Sequence, residues 1–283
     1  EDYRPAYFAH VEKRLQHWGM NTIGNWARPE IMERGNTPYT LQLTDYDWKA
    51  PRLGNTKLKF YDVFDPRYIE KMKNLVSWAA ERNPIVNKSL TDPMCIGYFI
   101  DNELDFGNRD GRLKLADEVL RSPAKTVSKQ VFVKDAEAKY KTIDALNKAW
   151  QTSHADFDAI LADTTTIPTT REYRDDSNAF LEKAVDQYFR LSRDAVKSVA
   201  PHRLYLGTRF VSTDAVKPVL YKANGKYGDV FSVNIYAASA ANFPTPATTP
   251  DFPDMPVLIG EFHFGVFDRG MFSASLCNAG LTQ

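Results

Sequence analysis

Short apolar runs that stop at polar or aromatic side chains, with helical patterns between them, constrain this chain more than any other feature. The clearest is Cys95-Ile96-Gly97-Tyr98-Phe99-Ile100, built like a buried strand and ending in Asp101-Asn102-Glu103-Leu104-Asp105. Carboxylates at such a place are costly unless they are paired or put to use. Comparable runs lie at 21–26, 39–43, 204–210, 230–236 and 257–262. Each ends in or is followed by a polar or aromatic group: Trp26, Asp45, Arg209, Tyr236, and Glu261 with His263. Between them, residues 5–18 repeat Phe8, Val11, Leu15 and Trp18 on one helical face, and Asp65-Pro66 supplies an N-cap and a first-turn proline. A third helix is expected over 178–199, with Leu181, Val185, Tyr188 and Ala195 on one side. This alternation predicts an α/β fold with a parallel sheet. In a barrel of parallel strands, the loops after the strand ends open on a single face, where the chemistry gathers.

The rhythm breaks from Gly107 to Ser177, a polar stretch with helical patches such as Ala136 to Trp150 and a threonine-rich loop at 164–170. It holds too few apolar residues for a core of its own. The expectation is therefore one barrel domain over 1–283, with a helical and loop insertion at about 107–177. The 36 basic and 36 acidic side chains balance, and no basic stripe stands out, which argues against nucleic acid as a partner. Two cysteines make neither a disulfide framework nor a metal cluster, and no apolar run is long enough to span a membrane. The chain begins at Glu1 without a signal peptide, and a leader could have been removed or lie outside it. Phe, Tyr and Trp make up 13% of the residues; aromatic faces suit sugars as well as cores.

Glu103 and Glu261 occupy equivalent positions, each just past an apolar strand: Gly-Tyr-Phe-Ile-Asp-Asn-Glu and Pro-Val-Leu-Ile-Gly-Glu. Far apart in sequence, they can face each other across a barrel mouth. Glycoside hydrolysis needs such a pair, one carboxylic acid to protonate the leaving oxygen and one carboxylate to attack the anomeric carbon or activate water. A metal site built on these carboxylates and His263 is the rival, weakened by the lack of a second histidine at ligand spacing. Neither a metal nor any other cofactor is called for. If extension continued past Ile100, Asp101 and Glu103 would point to one face and Asn102 to the other. A kink or bulge would let both Asn102 and Glu103 line the site. Asp101 and Asp105 read as partners for backbone amides or arginines rather than catalysts.

A strand ending in Asn102-Glu103, then two strands, then one ending in Glu261 resembles the clan of retaining glycoside hydrolases built on (β/α)8 TIM barrels. A finer resemblance is to the family 50 β-agarases, which cleave the β-1,4 links of agarose. It is carried by Asn21-Thr22-Ile23-Gly24-Asn25-Trp26, by Phe99-Ile100-Asp101-Asn102-Glu103, by Ile259-Gly260-Glu261-Phe262-His263-Phe264-Gly265 and by Asp268-Arg269-Gly270. Leu146-Asn147-Lys148-Ala149-Trp150 is similar to a segment that follows the acid/base strand in the clan's β-galactosidases, and reads equally well as an ordinary amphipathic helix end.

The resemblance implies net retention, with Glu261 as nucleophile and Glu103 as general acid/base, protonated near neutral pH through burial and the neighbouring carboxylate. It implies Asn102 on the sugar 2-hydroxyl and Tyr236 on the nucleophile. Many clan members carry an arginine against the nucleophile at the end of the second strand. Asn25 and Trp26 stand at that place here, and Arg28 or Arg209 could substitute. Trp26 and Trp48 read either as sugar platforms or as core, and His263 either as a sugar contact or as a structural histidine. By this alignment the first and last barrel strands lie outside the chain, so an incomplete barrel from a longer enzyme is expected. The substrate implied is agarose or a related galactan oligosaccharide, met outside the cell or in the periplasm, and the oligomeric state stays open. Another retaining glycosidase such as a β-galactosidase, and an inactive sugar-binding barrel, are the alternatives.

Overall fold

The computed structural model describes residues 2–44, 49–53, 58–109, 112–236, 245 and 247–262. Its parallel strands are β1 (Tyr39–Leu43), β2 (Cys95–Ile100), β3 (Leu204–Tyr205), β4 (Phe210–Val211), β5 (Phe231–Ile235) and β6 (Val257–Phe262). One three-stranded sheet runs β1-β2-β3 and another runs β4-β5-β6, with all pairings parallel. β3 and β4 are two ends of a single interrupted pass. Leu206 N–H donates to Tyr98 C=O and Ile100 N–H to Gly207 C=O, so the interruption stays bonded to β2. The result is an open parallel arc, and no strand pairing closes it among the described residues. Expected as a strand, 21–26 contributes only a bridge between Ile23 and Tyr39. Polar Asn21, Thr22 and Asn25 around Ile23 leave little apolar surface to hold a longer ladder against β1.

Two irregularities set where the strand ends point. In β6 the register passes from Val233↔Ile259 to Asn234↔Glu261, so Gly260 is an extra residue that re-aims the glutamate after it. Past β2, Asp101 and Glu103 have φ of +62° and +51°, and Arg209 between β3 and β4 has +53°. Such left-handed conformations cost a non-glycine residue about 1–3 kcal/mol each, so the surroundings must over-determine them. Here they do: Asp101 N–H donates to Leu43 C=O and Glu103 N–H to Arg209 C=O.

Helices cover the arc. Pro66–Arg82 starts where Asp65 accepts from Arg67 N–H at 2.8 Å, and it buries Met72, Leu75, Val76 and Ala79. The long helix Arg171–Val199 packs between Pro66–Arg82 and Pro218–Tyr227. It begins seven residues before the expected 178, where Thr170 Oγ1 accepts from Tyr173 N–H. The segment after β2 folds into helices Leu115–Arg121, Val127–Tyr140, Ile143–Trp150 and Phe157–Ala162. Its Leu115, Val119, Phe132, Trp150 and Ile160 join the same apolar cluster as the parallel strands. Trp150, at the end of the Leu-Asn-Lys-Ala-Trp segment, is buried, stacks on Phe132 and donates from Nε1 to Asp176 Oδ2 at 2.8 Å. Helix Arg4–His17 places Phe8, Val11 and Leu15 against the core, while Trp18 stays exposed beyond its end.

Candidate active site at the strand ends

A fully buried arginine organises the ends of the strands. Arg209 sits on the interrupted pass, fixed by its own N–H to Ser232 Oγ at 2.9 Å. Its guanidinium reaches three strand ends. Nη2 donates to Glu261 Oε1 at 2.5 Å and to Gly260 C=O at 3.1 Å, Nη1 to Gln42 Oε1 at 2.9 Å, and Nε to Asn234 Oδ1 at 3.4 Å. Phe99 and Trp26 both lie near the guanidinium, their ring centres 5.4 and 5.2 Å from Cζ. Burial pulls the Arg209 pKa down, although Glu261 and Glu103 favour its charged form.

Glu261, at the end of β6, accepts from Trp26 Nε1 at 2.8 Å on Oε1 and from Tyr236 Oη at 2.5 Å on Oε2, in addition to Arg209. Burial alone would raise its pKa; the Tyr236 and Trp26 hydrogen bonds and the Arg209 charge more than offset this and hold it below the ordinary carboxylate value. The same bond to Glu261, with burial second, pushes the Tyr236 hydroxyl up to about 12.

Glu103 accepts from Asn234 Nδ2 at 2.8 Å. That amide also lies 3.3 Å from Asn102 Oδ1, while Asn102 C=O accepts from Lys59 Nζ. The two glutamates are thus linked through two side chains: Glu103 to Asn234, Asn234 to Arg209, Arg209 to Glu261. Gly260 is required by this crowding, since a Cβ there would lie 2.8 Å from Arg209 Nε and 2.9 Å from Asn234 Oδ1.

The left-handed turn at Asp101 ends the strand alternation, so Asp101 and Glu103 do not share a face. Asn102 and Glu103 both turn to Asn234. Asp101 is buried beneath, where it accepts from Tyr61 Oη at 2.6 Å and Tyr188 Oη at 3.0 Å. Two tyrosine hydroxyls thus bond Asp101, and Asp105 accepts from a backbone amide, that of Gly107. Of the two arginines considered for the nucleophile's partner, Arg28 pairs with Glu30 at the surface and Arg209 reaches Glu261. Trp26 is 57% exposed and joined to Glu261 through its indole N–H, so it is not core. Asn25 donates to Gln42 Oε1 at 2.7 Å. His263, Trp48, Asp45 and Asp268 lie outside the described residues.

Sequence reasoning missed Gln42, Lys59 and Asn234. The signal was there: Gln42 and Asn234 are polar side chains in Tyr-Thr-Leu-Gln-Leu and Phe-Ser-Val-Asn-Ile, runs otherwise suited to strands buried on both faces. Among the described residues, no group of three His, Cys, Asp or Glu side chains could hold a metal ion.

Comparison with known proteins places the chain among glycoside hydrolases. The glycoside hydrolase family 42 model, described as Beta-galactosidase, matches residues 60–254. A curated relative, Beta-agarase B of Vibrio sp. (strain JT0107), is 29% identical over 95% of this chain, and the chain spans 28% of that relative's length. A solved exo-β-agarase superposes with a TM-score of 0.83 at 29% identity, over 98% of this chain and 37% of its own. PfGH50B gives 0.82 at 30% identity, over 99% of this chain and 40% of its own. The likeness to β-agarases read from the sequence therefore holds over nearly the whole chain.

Proposed function

Because the chain belongs to the glycoside hydrolase family described as Beta-galactosidase, we propose that it forms the catalytic part of a retaining glycosidase cleaving β-1,4-galactosidic links in agarose or its oligosaccharides. One observation carries this reading. Two glutamates at the ends of different parallel strands meet through Asn234 and Arg209, yet they are held unequally. Glu261 collects donors from Arg209, Trp26 and Tyr236, which favour a carboxylate. Glu103, among the described residues, is bonded by the Asn234 amide, which tolerates a protonated acid. A pair divided this way suits nucleophile and acid/base roles.

In this mechanism Glu261 Oε attacks the anomeric carbon while Glu103 gives its proton to the departing glycosidic oxygen. The bond to the leaving sugar breaks as the ester to Glu261 forms. Glu103, now a carboxylate, then takes a proton from water, whose oxygen displaces Glu261 and restores the starting anomer. Arg209 and Tyr236 hold the Glu261 carboxylate in line. Asn102 and the exposed Trp26 are offered to the sugar, the asparagine at a hydroxyl and the ring against apolar C–H surface. The open arc is read as part of an eight-stranded barrel, and a polymeric galactan implies action outside the cell or in the periplasm.

The family description favours one second reading, a β-galactosidase acting on small β-galactosides. Incubating the protein with agarose and with lactose separates the two. Agaro-oligosaccharide products from agarose support the first, and galactose from lactose with agarose untouched supports the second. Sugar binding with no new reducing ends from either would reject both.

A further inference from the structure

Gln42 lies at the end of β1, outside the pair of glutamates, and its amide is fixed in one orientation by what surrounds it. Oε1 takes hydrogen bonds from Arg209 Nη1 at 2.9 Å and from Asn25 Nδ2 at 2.7 Å, while Nε2 donates to Asp101 C=O at 2.8 Å. A guanidinium can only donate and a carbonyl can only accept, so a flipped amide would break both contacts. Gln42 thus ties the ends of β1 and β2 and the interrupted pass into one polar layer, and it satisfies one end of a guanidinium with no exposed surface. A carboxylate would fit the same space. It would also draw Arg209 away from Glu261, because one guanidinium would then serve two anions.

We propose that Gln42 is a positioning residue, whose uncharged acceptor holds Arg209 in place while leaving its charge directed at Glu261. The inference rests on the hydrolase reading above for its kinetic consequence and on the geometry alone for its electrostatic one. The charged and titratable groups around this guanidinium are Glu261 on β6, Glu103 after β2 and Tyr236 after β5. Lys59 and Asp101 stand one contact further out, on the Asn102 carbonyl and against Tyr61 and Tyr188.

The test uses Gln42→Glu, an isosteric change that adds one negative charge, and Gln42→Met, which removes the acceptor without adding charge. The readouts are the pH dependence of kcat/KM on an aryl β-galactoside and the titration of the Glu261 carboxyl by carbon NMR. Gln42→Glu is expected to move both the acid limb and the Glu261 titration up by about two to three pH units, the scale of a new charge a few ångströms away at an effective dielectric near 20. Gln42→Met is expected to lower kcat roughly ten- to a hundredfold by loosening Arg209, with the acid limb moving up by less than in Gln42→Glu because no charge is added. Asn25→Asp challenges the same oxygen from the half-buried side and is expected to shift the limb upward as well, which keeps the test decisive should Gln42→Glu fail to fold. Coincident Glu261 titrations in Gln42→Glu, or in Asn25→Asp, and the unchanged protein would overturn the proposal. If the protein hydrolyses no β-galactoside at all, the functional reading fails, and the NMR titration still decides the role of Gln42.

Discussion

Replacing Tyr236 with phenylalanine removes one oxygen from the rim of the site and nothing from the core, since Tyr236 is 39% exposed. Its hydroxyl donates to Glu261 Oε2 at 2.5 Å, and both partners register the bond: the phenol is pushed up to about 12 and the carboxyl is held low. A hydrogen bond to a charged group contributes about 1.5–3 kcal/mol. Water can replace the phenol at the rim, so the lower end applies. About 1.5 kcal/mol corresponds to about one pH unit. Loss of a donor destabilises the charged form, so the Glu261 pKa rises. The acid limb of kcat/KM, which reports ionisation in the free enzyme, should therefore move up by about one unit, with roughly tenfold less activity on that limb. Stability follows the same sign. A carboxyl whose pKa is depressed in the folded state stabilises the fold above its unfolded value, near 4.3, and loses that contribution as pH falls through the folded value. The melting-temperature gap between the two proteins should thus be present at neutral pH and close in acid. The assay is a pH series on an aryl β-galactoside at constant ionic strength, with thermal melts in the same buffers. An active variant whose acid limb coincides with that of the unchanged protein, or lies below it, would refute the reasoning.

Glu103→Gln removes the proposed proton donor while keeping its bulk, so a galactoside with a poor leaving group should lose roughly 10²–10⁴-fold in rate, and one with a very acidic leaving group far less; equal losses on both would contradict the acid role. Gly260→Ala drives a Cβ into Arg209 and Asn234, and chemical denaturation should show about 1–3 kcal/mol of lost stability together with a sharp fall in kcat. Trp150→Phe deletes the donor to buried Asp176 and leaves a gap beside Phe132; denaturation should show a loss of about 1–3 kcal/mol with kcat unchanged at temperatures where the fold persists.

Much of the framework was readable because strands and helices leave periodic traces. The apolar runs ending at Glu103 and Glu261 became β2 and β6, and the Asp65-Pro66 signal became a capped helix start. Where the trace was weak the reading slipped. Residues 171–177 carry few apolar side chains, so their helical state shows only in the Thr170 cap, and the strand expected over 21–26 shrank to Ile23 because its neighbours are polar. The largest gap concerns what lies inside the arc. Nothing in the residue types at 101, 103 and 209 announces a positive φ, because glycine would ordinarily serve there. Those turns place Arg209 beneath Glu261, sink Asp101 onto two tyrosines and bring Asn102 and Glu103 to one amide. Gln42 and Asn234 form their bonds to residues distant in sequence, so only their polar character inside apolar strands could be seen beforehand.

The central claim is that Glu261 forms a covalent bond to the sugar. An activated 2-fluoro galactoside tests it directly, because the fluorine slows hydrolysis of the glycosyl-enzyme while a good leaving group still permits its formation. Mass spectrometry of the treated protein should show one added fluorogalactosyl unit, and peptide mapping should assign it to Glu261 in the segment 257–262. An adduct on Glu103, or turnover with an inverted anomer and no adduct, would contradict the account.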